Sequence, residues 1–396
     1  MTEVGTVSPS RRSFLTLSAA ASTAIALRIV TEPMLARAAR HPVSEGVMID
    51  ANENPLGPCA AAREAVVAIA PQGGRYCDWL TEDLVQQLAQ LEGLKPEYVH
   101  VYPGSSEPLH HAVAAFCSPL RSYVTADPGY EAGMFAANAV KARVVKVPLA
   151  KDLAHDVRAM LAAAPDAGVF YVCTPNNPTG TVTRHSDIEY LVAHKPKDSV
   201  VLVDEAYIHF ADATSALDLV KADKDVLVLR TFSKIYGMAG LRCGAVFGRP
   251  DLIEKVEAYG GWNFKPITAL VAASASLRDA KLVPERKRIN ADIRSSVFAW
   301  LDRNGYHYIP SQSNCFMLDT QRAGEEVIDA MAKQHVHIGR IWPVWPTYVR
   351  ITVGTAAEME QFQTALHKVM TGAVTASAWP ARPERRGRQG ELPVPA

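Results

Sequence analysis

The 396-residue sequence has no surplus of either charge, with 41 lysines and arginines against 41 aspartates and glutamates. A balanced chain offers no broad electrostatic footprint for nucleic acid or for an anionic membrane surface. Cysteine is scarce and dispersed: Cys59, Cys77, Cys117, Cys173, Cys243 and Cys315 include no pair at metal-ligand spacing, so no zinc framework is written into the chain. Several of them sit inside apolar runs, which predicts buried free thiols, although an oxidising compartment would allow bridges that sequence cannot assign. No apolar run is long enough to span a bilayer well, and no short-period repeat is present. What remains is ordinary globular composition, 48% hydrophobic and 21% charged, at a length that suggests two or three domains.

The two ends differ from the rest. "SPSRRSFLTLSAAASTAIAL" sets Arg11-Arg12 before a mildly apolar, alanine-rich stretch that Arg28 closes, and Ala36-Arg37-Ala38 follows with small residues at signal-peptidase spacing. This order resembles a twin-arginine export signal over residues 1–38, which a receptor reads as an address. It implies a mature chain starting near Ala39, exported and periplasmic. The other reading is a disordered tail that happens to carry an arginine pair. At the far end, "WPARPERRGRQGELPVPA" mixes prolines and arginines without an apolar period, which reads as a mobile tail over 371–396.

Between these ends, short β-branched runs recur: "YVHVY", "SYVTA", "ARVVKVPL", "GVFYVCT", "SVVLVDE", "DVLVLRT" and "CGAVFG". Helical patterns such as "EPLHHAVAAFC" and "HSDIEYLVAH" separate several of them. Apolar strands alternating with helices predict an α/β domain with a mostly parallel sheet covered on both faces, placed at residues 76–275. An irregular arm, residues 39–75, leads into it. After "WNFKPITALVAASASL" the texture becomes charged and helical, then "YHYIPSQSNCFMLD" and "VRITVG" give strands. That predicts a smaller α+β domain over 276–370.

Open α/β sheets bind ligands at the carboxyl ends of their strands, and polar groups follow five of these strands in turn. Gly104-Ser105-Ser106 sit between a strand and a helix start, where backbone N–H groups and the helix dipole suit a phosphate, although such triplets are also common helix caps. "YVTADPGY" ends in Tyr130, "YVCTPNNPTG" carries Asn177, "VLVDEAY" carries Asp204 and Tyr207, and "LVLRTFSK" ends in Ser233-Lys234. Arg242 offers a bidentate contact to an anion. Asp204 at the end of a buried strand needs a cation, either another side chain or a protonated ring nitrogen. Lys234 is either a solvated loop lysine or an amine whose lowered pKa lets it form a Schiff base. A reactive lysine, an acid for a ring nitrogen and a phosphate cradle together describe a pyridoxal 5'-phosphate site.

From Val47 to Met370 the chain resembles the class I/II pyridoxal-phosphate aminotransferases, and within them the histidinol-phosphate aminotransferase group. "NENPLGP", "RY", "PNNPTG", "DEAYIHF", "RTFSKIYGMAGLRCG", "SN" and "VRITVGT" carry the likeness in that order. The resemblance implies the aspartate-aminotransferase-like fold (fold type I), a homodimer with shared active sites, and amino-group transfer between an amino acid or related amine and a 2-oxo acid. It further implies that Lys234 forms the Schiff base and shuttles the proton, that Asp204 pairs with the ring nitrogen, and that Tyr207 and Asn177 bind the ring oxygen. Tyr130 would stack on the ring. Ser105, Ser106, Ser233 and Arg242 would hold the phosphate, with Tyr76 reaching the partner subunit's phosphate. Arg350 would clamp the substrate carboxylate, assisted by Asn54 and Asn314, and Arg340 matches the arginine that the histidinol-phosphate group turns on substrate phosphate.

The sequence departs from that pattern in places. Ser106 stands where an acidic residue is common, and His209 of "DEAYIHF" where an acidic residue is frequent, which suggests a histidine behind the site or at the surface. "IGRIWPVWPTY" follows Arg340 with two tryptophans and two prolines, either plain loop packing or a stiff aromatic wall favouring apolar, aromatic or cationic side chains. Export would also separate the enzyme from histidinol phosphate, a cytoplasmic intermediate. Decarboxylation, carbon–sulfur cleavage and oxygen-dependent amino acid oxidation share the same lysine–aspartate core. A metal-dependent hydrolase built on His110-His111 or on His335 and His337 lacks a nearby third ligand.

Overall fold

The computed structural model describes residues 46–261 and 264–372. The twin-arginine-type segment and the tail from residue 373 lie outside the described residues. Among the described residues, no helix is long and apolar enough to cross a membrane. All six cysteines are free thiols, and all but Cys59 are buried.

The described residues open with a three-residue strand, β1 (Val47–Ile49), and a helix, α1 (Ala60–Ile69). Seven further strands build the main sheet: β2 (Val99–Tyr102), β3 (Ser122–Asp127), β4 (Val144–Pro148), β5 (Ala167–Cys173), β6 (Val200–Asp204), β7 (Val226–Thr231) and β8 (Gly244–Gly248). Their spatial order is β2-β8-β7-β6-β5-β3-β4. β8 runs antiparallel to both neighbours, and the other pairings are parallel. β5, β6 and β7 are buried at every position. This is why they read as continuous apolar runs rather than as alternation.

One consequence decides where the site lies. β2, β3, β5, β6 and β7 all end on one edge of the sheet, and the reversed β8 begins there, with Gly244 opposite both Tyr102 and Thr231. The residues just after five strands and just before the sixth therefore converge. Helix α2 (Ser106–Phe116) starts on the same edge, and α3 (Ala132–Ala139) follows β3.

A second core forms around a three-stranded antiparallel sheet of β9 (His307–Ile309), β10 (Cys315–Asp319) and β12 (Tyr348–Thr352), while β11 (Val336–Ile338) pairs in parallel with β1. Val47 and Ile49 are packed in this second core with Phe316, Ile351 and Phe362. The described part of the stretch expected as an irregular arm, residues 46–75, thus holds a strand of the second core and a helix whose Ala62 is buried in the first. Helix α4 (Ile267–Arg278) continues across the expected boundary at residue 275, and its apolar face packs in the main core with α1.

Beneath the sheet edge, Glu205 has a fully buried side chain and accepts from Arg230 Nε at 2.7 Å, from Ser215 Oγ at 2.9 Å and from the Ala216 N–H at 2.7 Å. A buried charge stripped of its partner costs several kcal/mol. Glu205→Ala is expected to lower stability by about 3 kcal/mol, read as a drop in the urea midpoint with unchanged slope.

Candidate active site

Lys234 follows β7 and its Nζ donates to the carbonyl of Asn52 at 3.0 Å and of Ala51 at 3.4 Å. It stands 5.7 Å from the Tyr207 ring centre. Burial first, and then the positive charge of Arg350, lower its pKa to about 8. A lysine held there has a sizeable neutral fraction near neutral pH, as a nucleophile or base requires. Of the two readings open to the sequence, the solvated loop lysine is set aside.

Asp204 closes β6 and is buried; its carboxylate accepts from Tyr171 Oη at 2.8 Å and from the Ala206 N–H at 3.0 Å. Burial raises its pKa, while these two hydrogen bonds and the charge of Lys234 act in the opposite sense. Among the described residues it forms no ion pair, so a cationic ring nitrogen would meet a carboxylate lacking a counter-charge.

Ser105 and Ser106 open α2, and Ser233 Oγ accepts from Arg242 Nη1 at 3.2 Å and from Thr231 Oγ1 at 3.0 Å. Arg242 has φ +65° and its guanidinium lies against Gly104, whose own φ is +95°. A Cβ at Gly104 would fall on that guanidinium, so glycine here serves close approach as well as backbone conformation. Helix N–H groups, three hydroxyls and an arginine make a seat for a phosphate.

These groups line one cavity of about 450 Å³ together with Tyr130, Asn177, Tyr207, Arg340 and Arg350. Arg350 is buried; Nη1 donates to Asn177 Oδ1 at 3.0 Å and Nη2 to the Asp50 carbonyl at 2.7 Å, while Nε is buried without a partner. Arg340 is half exposed and paired with Glu131. Asn54 and Asn314 do not line this cavity. Asn54 Nδ2 holds the Ile235 carbonyl at 3.0 Å, and Asn314 Nδ2 holds that of Asn52 at 3.0 Å. Tyr76 is exposed, stacked on Phe264 at 4.2 Å, and contributes nothing to this cavity within one chain.

The family described as aminotransferase class I and II matches residues 44–366. The chain belongs to the class I and II aminotransferases. It is 32% identical over 335 residues to the histidinol-phosphate aminotransferase of Moorella thermoacetica, covering 83% of this chain and 86% of that one. It is 33% identical over 347 residues to the aromatic amino acid aminotransferase of Cutibacterium acnes, covering 86% and 97%. The crystal structure of histidinol-phosphate aminotransferase from Sinorhizobium meliloti in complex with pyridoxal 5'-phosphate superposes with a TM-score of 0.76 at 25% identity, over 83% of this chain and 92% of that one.

This aminotransferase is therefore a pyridoxal-phosphate enzyme of the aspartate-aminotransferase-like fold, catalysing transamination. The unpaired carboxylate of Asp204, the serine–arginine seat and the amine of Lys234 fit that cofactor. Among the described residues, the histidines of the hydrolase alternative form no metal-ligand group. His111 lies edge-on to Tyr102, and His335, at φ +57°, precedes the strand that holds His337. Among the described residues a possible three-ligand group is His185, Glu189 and Asp218, where each ring nitrogen of His185 faces a different carboxylate. His209 sits behind the cavity, 3.2 Å from Arg230 Nη1, its pKa lowered to about 3 by burial and by the charges of Arg230 and Lys287.

Sequence reasoning missed three residues. Asn52 joins the two cores: at φ +55° it donates through Nδ2 to Tyr207 Oη at 3.1 Å and accepts from Thr352 Oγ1 at 3.1 Å. Asparagine's tolerance of that backbone region was the available signal. Tyr171, inside an apolar strand, carried no signal for its bond to Asp204. Glu131 was hidden because its partner lies 209 positions away.

Proposed function

We propose that this aminotransferase takes an α-amino acid as donor, with Arg350 holding the α-carboxylate and Lys234 as both attachment point for the cofactor and base for the α-proton. The observation that carries the reading is the convergence of Lys234, Asp204, the Ser105–Ser106–Arg242 seat and Arg350 on one cavity. Pyridoxal phosphate, when bound, supplies the electron sink that stabilises charge developing at the substrate's α-carbon. Ser105, Ser106, Ser233 and Arg242 would hold its phosphate, and the Asp204 carboxylate would favour a proton on its ring nitrogen. Tyr130 would cover its ring, and Tyr207 and Asn177 would hold its ring oxygen. Arg350, anchored by Asn177 and the Asp50 carbonyl and with Nε free, orients the substrate through a carboxylate fork. Lys234, whose amine pKa is lowered to about 8 in the cofactor-free chain, would take and hold the substrate's α-proton.

The assembly in this reading is a homodimer with shared sites. Tyr76, Trp79, Tyr259 and Phe264 are exposed aromatics, and Tyr76 would reach the partner's phosphate seat. Export to the periplasm by the segment at 1–38 belongs to the same proposal.

The test is a half-reaction. The holoenzyme is offered amino acids singly, without oxygen, while the absorbance of the lysine-bound cofactor is followed. Its loss together with release of a 2-oxo acid is expected, and Arg350→Gln should raise KM by about 100-fold or more, the scale of a lost charge-assisted fork. Carbon dioxide release, or a requirement for oxygen, would replace transamination with another reaction.

A further inference from the structure

Resting on that reading, we infer that Glu131 is a specificity-determining residue: by occupying Arg340 it selects monocarboxylate substrates with uncharged side chains over those bearing a phosphate or a second carboxylate. The cavity has two arginines beside Lys234 besides the one in the phosphate seat. Arg350 is the inner one and has no carboxylate partner among the described residues. Arg340 is the outer one, and its Nη2 lies 2.5 Å from Glu131 Oε2.

The pair is placed by the fold rather than by two mobile side chains meeting in solvent. Trp342 is buried, and its Nε1 donates to the Gly129 carbonyl at 2.9 Å, two residues before Glu131. The same indole carries the Arg340 guanidinium 4.6 Å and the Arg350 guanidinium 5.6 Å from its ring. The backbone N–H of Arg350 also donates to the Arg340 carbonyl at 3.1 Å. One tryptophan thus fixes both arginines and the corner that presents Glu131. Of the "IWPVWP" stretch, Trp342 serves this geometry, while Trp345 packs against Tyr348.

The consequence is a charge count. With Arg340 answered by Glu131, the substrate finds one unanswered guanidinium, enough for a single carboxylate. A phosphate dianion or a second carboxylate must displace Glu131 and then lie beside it. Juxtaposed like charges disfavour binding, whereas a half-exposed ion pair contributes little to stability by itself, so the pair acts on selection more than on folding. The rule holds for donor and acceptor alike, because both use this cavity.

The experiment compares wild type, Glu131→Gln, Arg340→Gln and the double variant as holoenzymes. Half-reactions with phenylalanine, glutamate and histidinol phosphate are measured beside calorimetric Kd values for 3-phenylpropanoate, succinate and phenethyl phosphate, which need no turnover. Wild type should prefer the uncharged side chain in both series. Glu131→Gln should improve the glutamate-to-phenylalanine and succinate-to-phenylpropanoate ratios at least about tenfold, with the phosphate compounds moving in the same direction. The cofactor spectrum should not change, and the double variant should lose the gain. Unchanged ratios in Glu131→Gln, or a wild type that already prefers the phosphate compounds, would overturn the inference. Absence of any half-reaction alongside the expected Kd ratios would instead strike the transaminase reading alone.

Discussion

Lys234→Ala is expected to abolish transamination, with a fall of at least about a thousandfold, because in the proposed mechanism one side chain provides both attachment and proton transfer. The loss has two parts that can be read separately. Borohydride should fix no cofactor to the variant, whereas it should fix cofactor to Lys234 in wild type, as peptide mass would show. The residual half-reaction should respond to added small amines, which replace the base but not its placement. A variant retaining a tenth of wild-type activity would remove Lys234 as the base, and a wild type that borohydride does not label at Lys234 would remove it as the attachment point.

The same substitution has a stability consequence in cofactor-free protein. The pKa of Lys234 is about 8 in the folded chain against an ordinary value of 10.5. Between these values the unfolded chain binds the proton that the folded chain has released, so wild-type stability rises with pH across that window. Below about pH 8 the full penalty stands, of the order of 3 kcal/mol at 1.36 kcal/mol per unit. Lys234→Ala should accordingly be the more stable cofactor-free protein at pH 7, and its advantage should shrink as pH rises from about 8 toward 10.5. Paired urea titrations at pH 7 and above pH 10 measure it.

Asp204→Asn is expected to reduce the half-reaction by about 100- to 1,000-fold, the range for removing a preorganised electrostatic partner of developing charge. Asparagine keeps the shape but loses the charge that would hold a proton on the ring nitrogen, and its amide can turn only one acceptor toward Tyr171 and the Ala206 N–H. Borohydride should still fix cofactor to Lys234 in this variant, which distinguishes it from Lys234→Ala. Cofactor affinity should weaken as well, seen as faster loss on dialysis. Normal half-reaction rates in Asp204→Asn would mean that the buried carboxylate is structural.

Much of the site was legible in the chain because of a rule of sheet geometry. The apolar runs of β5, β6 and β7 announce buried parallel strands, and chemistry in such sheets gathers after strand ends. Ser105, Tyr130, Asn177, Asp204 and Lys234 were therefore identifiable as one group before any coordinates. Arg242 joined them for a reason the sequence hid: β8 runs backwards, so the residue before it reaches the same edge as the residues after the others. β1, within the expected arm, was not legible because three residues are too few to show a period, and it exists through its pairing with β11. Asn54 and Asn314 lie in recognisable motifs, yet both are used to hold backbone beside the cavity.

By itself, then, the sequence determined the fold class, the cofactor and the family, since these follow from local patterns: strand composition, turn chemistry and the order of short motifs along the chain. Tertiary structure alone decided which arginine is free and which is answered. Charge balance at Arg340 depends on Glu131, two hundred residues earlier, and on an indole that fixes both. Contacts of that separation leave no periodic trace in a chain, because they are set by how β3 and the loop before β12 are brought together in space.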